Sequence, residues 1–74
     1  MSTALASRIQ QARIAAGYPT PDAAAIVLAM NPEVYRGHEQ GRHKVKPAEV
    51  KRYAETFRVT TGWLSSGIGL GPVG

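Results

Sequence analysis

The sequence predicts an all-α fold, and three observations predict it. Apolar residues make up 43% of the 74 positions, and 11 of them are alanine, the residue with the highest helix propensity. Apolar side chains recur every three or four residues, as on one face of a helix. Capping residues, prolines and glycines divide the chain into five segments of helical length. Without cysteine no disulfide or thiolate-bound metal can support so short a chain, and we expect a compact five-helix bundle.

The first helix lies between a capping hydroxyl and a glycine. Ser2 or Thr3 can cap its start, and Gly17 stands where a left-handed residue ends a helix. Its cations lie mostly off the apolar stripe. The stripe consists of Leu5, Ile9, Ala12 and Ala16.

The second helix begins with a run of three start signals. Thr20 can cap it, Pro21 suits the first helical position, and Asp22 faces the positive end of the helix dipole. The helix runs to about Ala29 and is nearly uncharged after Asp22. We therefore expect it to be buried on much of its circumference.

The third helix repeats this start signal. Asn31 caps it, Pro32 occupies the first position and Glu33 faces the dipole, and the helix ends near Gln40 before Gly41. So few residues separate it from the second helix that the chain must turn sharply. Two short helices joined in this way predict a helix-turn-helix arrangement.

Two further helices and a tail complete the predicted domain. Pro47 opens the fourth helix, and Thr60 can cap a short fifth helix that stops at Gly67. The predicted domain therefore covers residues 1–67, and the Gly-rich residues 68–74 form a flexible tail. The fourth helix has the apolar stripe Val50, Tyr53, Ala54 and Phe57, and the fifth contains Trp63 and Leu64.

Positive charge is concentrated in one stretch of the chain. The formal net charge is +4 and the pI is about 10. Residues 36–46 carry +3 of this charge, with Glu39 as their one acidic residue. Such a stretch fits either a solvated loop or a surface that faces phosphates. Its cations are Arg36, Arg42, Lys44 and Lys46, with His38 and His43 among them.

Several other classes of protein are not supported. The longest apolar run, residues 23–30, is far shorter than a membrane span. Arg8 and Arg13 interrupt any signal-peptide core, and we expect a cytoplasmic protein. The carboxylates are scattered, Ser65 and Ser66 end a helix and follow no strand, and no phosphate-binding Gly-rich loop is present. We expect no enzymatic activity, cofactor or small-molecule ligand. His38, Glu39 and His43 have poor spacing for a metal site.

Four segments resemble the phage Cro/C1-type (XRE) helix-turn-helix family. The resemblance covers about residues 5–67, and it implies an all-helical fold of the λ-repressor type. It further implies sequence-specific binding of duplex DNA as a homodimer, repression of transcription, and a bacterial, phage or mobile-element origin. The segments, in order, are Arg-Ile-Gln-Gln-Ala-Arg (8–13), Ala-Gly-Tyr (16–18), Tyr-Arg-Gly-His-Glu-Gln-Gly-Arg (35–42) and Thr-Gly-Trp-Leu-Ser-Ser-Gly (61–67).

The match also implies structural roles. Glu39 corresponds to the family's acid at the end of the recognition helix, which pairs with an arginine of the first helix, here Arg13. Tyr35 corresponds to an inward core position. Residues of the last helix and the start of the tail correspond to core or dimer contacts, namely Trp63, Leu64 and Ile68.

The same match places the third helix in the major groove. Its outward positions include Gly37, where a glycine would allow close approach to DNA. Arg36 can bind guanine through two parallel hydrogen bonds, Glu33 can accept from cytosine, and Val34 can touch a thymine methyl group. The expected base contacts are Glu33, Val34, Arg36 and Gln40, and the expected backbone contacts are Thr20, Asn31, Arg42, His43 and Lys44.

Departures from the family pattern reduce the expected base readout. Pro21 stands where many members have glutamine, and Pro32 and Gly37 replace polar residues. The connector also has an extra residue, Pro19. We therefore expect DNA shape and backbone contacts to carry more of the specificity.

Two alternative functions remain open. A helix-turn-helix fold can bind another protein, as in an antiactivator or adaptor, because fold alone does not determine function. The chain can also be the DNA-binding end of a longer repressor, with the tail as the start of a linker. The cations beside the third helix favour DNA over a protein partner.

Overall fold

Five α-helices follow one another along residues 3–69, 71 and 72, the part of the chain that the computed structural model describes. This part contains no strand, and the all-helical fold class is confirmed. The Cα radius of gyration is 10.8 Å, close to the roughly 11 Å of a compact domain of this length. None of these helices has the length and apolar character that a membrane crossing needs. The helices are α1 (Ala4–Ala15), α2 (Pro21–Leu28), α3 (Pro32–Glu39), α4 (Pro47–Phe57) and α5 (Thr61–Ser66).

The predicted start signals are all used by the backbone. At α4, the Glu49 carboxylate accepts from the Lys46 amide at 2.9 Å, one residue before Pro47. These bonds satisfy amides that have no partner within a helix. At the other four helices a cap side chain accepts from an amide two or three residues further on, at 2.8–3.1 Å: Thr3, Thr20, Asn31 and Thr60.

The link between α2 and α3 is three residues long and begins in a left-handed conformation. Ala29 has a φ of 54°, a region that residues with a Cβ seldom adopt. The Met30 amide donates to the Ala25 carbonyl at 2.9 Å, which closes the end of α2. Arg52 of α4 donates to the Leu28 carbonyl. The sharp turn that the sequence predicts is therefore stabilised by a backbone hydrogen bond to α2 and by a side-chain hydrogen bond from α4.

All five helices contribute to one core. Its aromatic centre joins α3 to α4: the Tyr35 and Tyr53 ring centroids lie 5.6 Å apart, edge to face, and Phe57 stacks on Tyr53 at 6.1 Å. Small side chains let the helices approach this centre closely. Buried core residues are Ile9, Ala12, Ala24, Ala25, Leu28, Tyr35, Val50, Tyr53, Ala54, Phe57 and Leu64.

One expectation about α2 is wrong. The helix buries only one face, through Ala24, Ala25 and Leu28. On the opposite face Ile26 is 77% exposed and Val27 is 53% exposed. A lack of charge indicated burial all round, but a helix at the surface of so small a domain has neighbours on one side alone.

The three residues predicted as core or dimer contacts near the end of the chain differ in burial. Leu64 is fully buried, and Trp63 is half-buried with Gly71 against its indole ring. Ile68 is exposed, so it is not a core residue. Of the predicted flexible tail, Leu70, Val73 and Gly74 lie outside the described residues. Arg8 joins α1 to the end of α5 by donating to the Leu64 and Ser65 carbonyls at 2.8 and 2.9 Å.

Candidate nucleic-acid interface

The inner face of α3 holds the ion pair that the sequence predicts. Arg13 of α1 donates through Nε and Nη2 to the two carboxylate oxygens of Glu39, at 2.9 and 3.1 Å. Its Nη1 donates to the Tyr18 carbonyl at 2.8 Å. Both side chains are almost fully buried. The pair thus ties α3 to α1 and to the connector before α2, and it sets the position of the helix.

A second buried polar contact ties the same face to α4. Nδ1 of His38 and the hydroxyl of Tyr53 are hydrogen-bonded at 2.6 Å. Nε2 of His38 lies 3.9 Å from the Glu49 carboxylate. Burial lowers the pKa of His38, although the Glu49 charge acts in the opposite direction. Burial also raises the pKa of Tyr53, so burial favours the neutral form of both side chains.

The aromatic side chain between these contacts is also inward, as predicted. Tyr35 is fully buried, and its hydroxyl makes no hydrogen bond within the described chain. Burial, together with the nearby Glu39 carboxylate, raises the pKa of Tyr35. Its ring serves the core and is not available for stacking on a base.

On the outer face of α3, Arg36 is held by two acids. Its Nη1 donates to the Asp22 carboxylate at 2.6 Å, and its Nη2 donates to the Glu33 carboxylate at 2.8 Å. Glu33 and Asp22 together raise the pKa of Arg36. The contact with Asp22 also shows that the start of α2 lies beside this face of α3.

Gly37 does not face outward, contrary to expectation. It is buried beneath the His43 ring, and a Cβ at this position would lie 2.0 Å from Cδ2 of that ring. The Arg42 amide donates to the Gly37 carbonyl at 2.9 Å. Glycine is thus needed because the loop after α3 folds back on the helix, and its role is packing within the chain.

These two contacts place the loop and the start of α2 around the same surface. Residues 36 and 37 are about 100° apart around a helix axis, so half-exposed Arg36 and buried Gly37 mark the two edges of the exposed side of α3. Asp22 meets the first edge and His43 covers the second. We call this surface, with Glu33 and Gln40 at its centre, the α3 face.

Three cations without an ion-pair partner in the described chain lie together in the loop after α3. Arg42, Lys44 and Lys46 are exposed and have no ion-pair partner among residues 3–69. Between them Val45 is half-buried against the core, which anchors the loop. We call residues 42–46 the basic loop. The α3 face, unlike the basic loop, has no excess positive charge, because two acids surround its one arginine.

The other predicted contact residues lie on or next to the α3 face. Val34 is 42% exposed, and Gln40 is exposed. Thr20 and Asn31 are exposed at the starts of α2 and α3, where their side-chain oxygens cap the helices.

Asp22 is the residue of this surface that sequence reasoning did not assign. In the sequence, its position after Pro21 indicates only an acid near the start of a helix. It lies 14 residues before Arg36, and no periodicity joins the two. The packing of α2 on α3 brings them together, so the signal exists only in three dimensions.

Neither a metal centre nor a known relative adds to this picture. No group of three or more His, Asp or Glu side chains among the described residues could hold a metal ion. Comparisons with protein-family models, with curated proteins and with solved structures found no match.

Proposed function

We propose that this chain binds duplex DNA sequence-specifically through a helix-turn-helix formed by α2 and α3, in a fold of the λ-repressor type. The supporting observation is the arrangement of the α3 face between the start of α2 and the basic loop. The chain then acts as a non-enzymatic transcriptional regulator in the cytoplasm, and we assign it the role of a repressor. The resemblance to Cro/C1-type regulators supports the same function.

The α3 face has side chains suited to reading the major groove. The major groove admits one α-helix, and α3 presents exposed Glu33, Val34 and Gln40 together with half-exposed Arg36. Arg36 binds guanine, Glu33 accepts from cytosine and Val34 contacts a thymine methyl group. Gln40 reaches the groove from the last turn of the helix.

The basic loop and the helix starts bind the DNA backbone. Arg42, His43 and Lys44 lie just beyond the end of α3, where they meet phosphates on either side of the groove. Amides at the starts of α2 and α3, next to Thr20 and Asn31, attract phosphate oxygens. Each phosphate neutralised adds about 0.9 to the slope of log affinity against log salt.

A homodimer on an inverted repeat fits this mode of binding. Two recognition helices about 34 Å apart would enter successive major grooves, with half-sites centred about 10 base pairs apart. Exposed Ile68 and half-buried Trp63 lie at the end of the domain and are the candidate dimer contacts. Occupation of such a site at a promoter excludes polymerase.

Selection from a random duplex pool tests the proposal directly. We expect enrichment of one inverted repeat, and a footprint that covers both half-sites. A footprint over one isolated half-site, or a monomer on the DNA, contradicts the dimer. Failure to enrich any duplex contradicts DNA recognition.

Two alanine variants then separate base contacts from phosphate contacts. Arg36→Ala should weaken binding to the selected duplex by about 1–3 kcal/mol and relax the preference at one base pair. Lys44→Ala should weaken binding to all duplexes alike and reduce the salt slope by about one. Arg58→Ala removes the same charge at the far end of α4 and is the control. Identical behaviour of the two test variants contradicts the division of roles.

A protein-interaction module is the second candidate, and one observation favours it. Ile26 and Val27 form an exposed apolar face on α2, and such faces often mark protein contacts. The basic loop has no evident role in that case. This candidate would be favoured if Lys44→Ala kept the activity of the protein in the cell and Ile26→Ser lost it.

A further inference from the structure

Arg36 is held by carboxylates from two helices at once. One acid, Asp22, lies in the first turn of α2, and the other, Glu33, lies one turn before Arg36 on α3. A long side chain bound at both terminal nitrogens has little freedom to turn away. A guanidinium has five N–H donors, so three remain when one is given to each acid. Guanine needs two of them, at O6 and N7.

We propose that Asp22 determines sequence specificity by holding Arg36 in position for guanine. The proposal rests on the DNA-binding function proposed above and adds the base that is read and the residue that controls its reading. Asp22 is a positioning residue here, because it acts through Arg36 and does not itself meet the DNA bases.

The two acids also make Arg36 a poor partner for phosphate. A phosphate that Arg36 contacted would lie close to the Asp22 and Glu33 carboxylates, whose negative charges repel it. On a site with guanine at the right position, Arg36 keeps its acids and gains two hydrogen bonds. The arrangement therefore favours the correct site and penalises others, which is how specificity arises from repulsion as well as attraction.

The basic loop provides the contrast that makes this division possible. Arg42, Lys44 and Lys46 have no acids beside them within the described chain, so they bind any backbone. General affinity thus comes from the basic loop, and discrimination comes from the acid-bound arginine. Removal of Asp22 should convert Arg36 from a reader of guanine into a further phosphate-binding cation.

The test measures binding of Asp22→Asn to the selected duplex and to a scrambled duplex of the same composition. We expect tighter binding to the scrambled duplex, by about threefold or more, with a salt slope steeper by about one. The ratio of selected to scrambled affinity should fall by about fivefold to a hundredfold. Asp22→Glu, which keeps the carboxylate, should retain most of the ratio.

Two controls show whether Asp22 acts through Arg36. Glu55→Gln removes an exposed acid of α4 and has the same change in charge, so it should leave the ratio unchanged. In an Arg36→Ala background, Asp22→Asn should have no further effect on the ratio, because coupled residues are not additive.

Each outcome supports or overturns the proposal. Equal effects of Asp22→Asn and Glu55→Gln overturn it, and so does a loss of ratio in the Arg36→Ala background as large as in the wild type. In both cases a wild-type preference for the selected duplex leaves the proposed function intact. A wild-type protein that binds both duplexes equally overturns the function and this inference together.

Discussion

Two arginine–carboxylate sites lie on α3, one on its buried side and one on its exposed side, and they differ in their surroundings. Glu39 on the inner face binds Arg13, with side chains only 6% and 5% exposed. Arg36 on the outer face binds Asp22 and Glu33, and these side chains are 34%, 58% and 77% exposed. The same pair of chemical groups is thus used twice within one helix.

Burial therefore decides how much an arginine–carboxylate contact contributes to stability. A buried charge without its partner is strongly destabilising, because neither water nor another group replaces the lost contact. An exposed pair contributes little to stability, since water competes for both groups. The inner pair therefore holds α3 in place, while the outer group lies where DNA can reach it.

The largest expected effect comes from breaking the inner pair. Glu39→Gln should reduce the free energy of unfolding by about 3–5 kcal/mol, because the Arg13 guanidinium stays buried without a countercharge. The total for a domain of this size is about 4–11 kcal/mol. Urea unfolding followed by circular dichroism measures the loss.

A double variant separates charge from shape at this site. Arg13→Met with Glu39→Leu removes both charges and keeps the volume apolar, and it should recover part of the stability lost in Glu39→Gln. Unchanged stability of Glu39→Gln, combined with lost DNA binding, would move Glu39 from the scaffold to the interface and break the comparison.

An intermediate effect is expected at His38, which is buried near the inner pair. Since burial lowers the pKa of His38, the unfolded chain binds a proton more readily than the folded chain does. The stabilisation is complete above the unfolded pKa of about 6.5 and is lost as the pH falls towards the folded pKa. Stability should therefore decrease as the pH falls below about 6.5.

The groups around His38 define the control for this pH effect. Tyr53 and Glu49 face it from α4, and His43 approaches from the basic loop. Urea unfolding of His38→Gln should depend less on pH than that of the wild type. His43→Gln removes a charge that contributes less than burial to the lowered pKa of His38, so it should keep most of the wild-type dependence. An equal pH dependence of His38→Gln and wild type would assign the effect to other groups.

The smallest expected effect on stability comes from the outer contact. Asp22→Asn should change the free energy of unfolding far less than Glu39→Gln does, and less still at high salt. A double-mutant cycle with Arg36→Ala should give a coupling energy much smaller than that of the inner pair. A loss as large as that of Glu39→Gln would show that exposure does not separate the two contacts.

Local signals account for what could be predicted of the fold. Thr3, Thr20, Asn31 and Thr60 cap helices because each lies directly before its helix, and the chain needs no distant contact to use them. The Arg13–Glu39 pair came from resemblance to a family pattern. Burial of α2 was predicted wrongly, because a helix of uniform apolar character does not indicate how many neighbours surround it.

The candidate site depended more on contacts between distant parts of the chain. Sequence placed Arg36 and Glu33 on the outward face of α3 correctly, since they follow from helical periodicity. It placed Gly37 there too, but the loop returns over that position and His43 covers it. It assigned no role beyond a helix start to Asp22, whose contact with Arg36 requires the turn at residues 29–31.

The five helices, their caps and the location of the excess positive charge can be predicted from sequence, because these features depend on neighbouring residues and periodicity. The tertiary structure alone decided which charges are compensated. Two acids from different helices surround Arg36, whereas the cations of the basic loop remain unpaired in the described chain. Charge compensation depends on distances of a few ångströms between residues far apart in sequence, and only the packed helices set those distances.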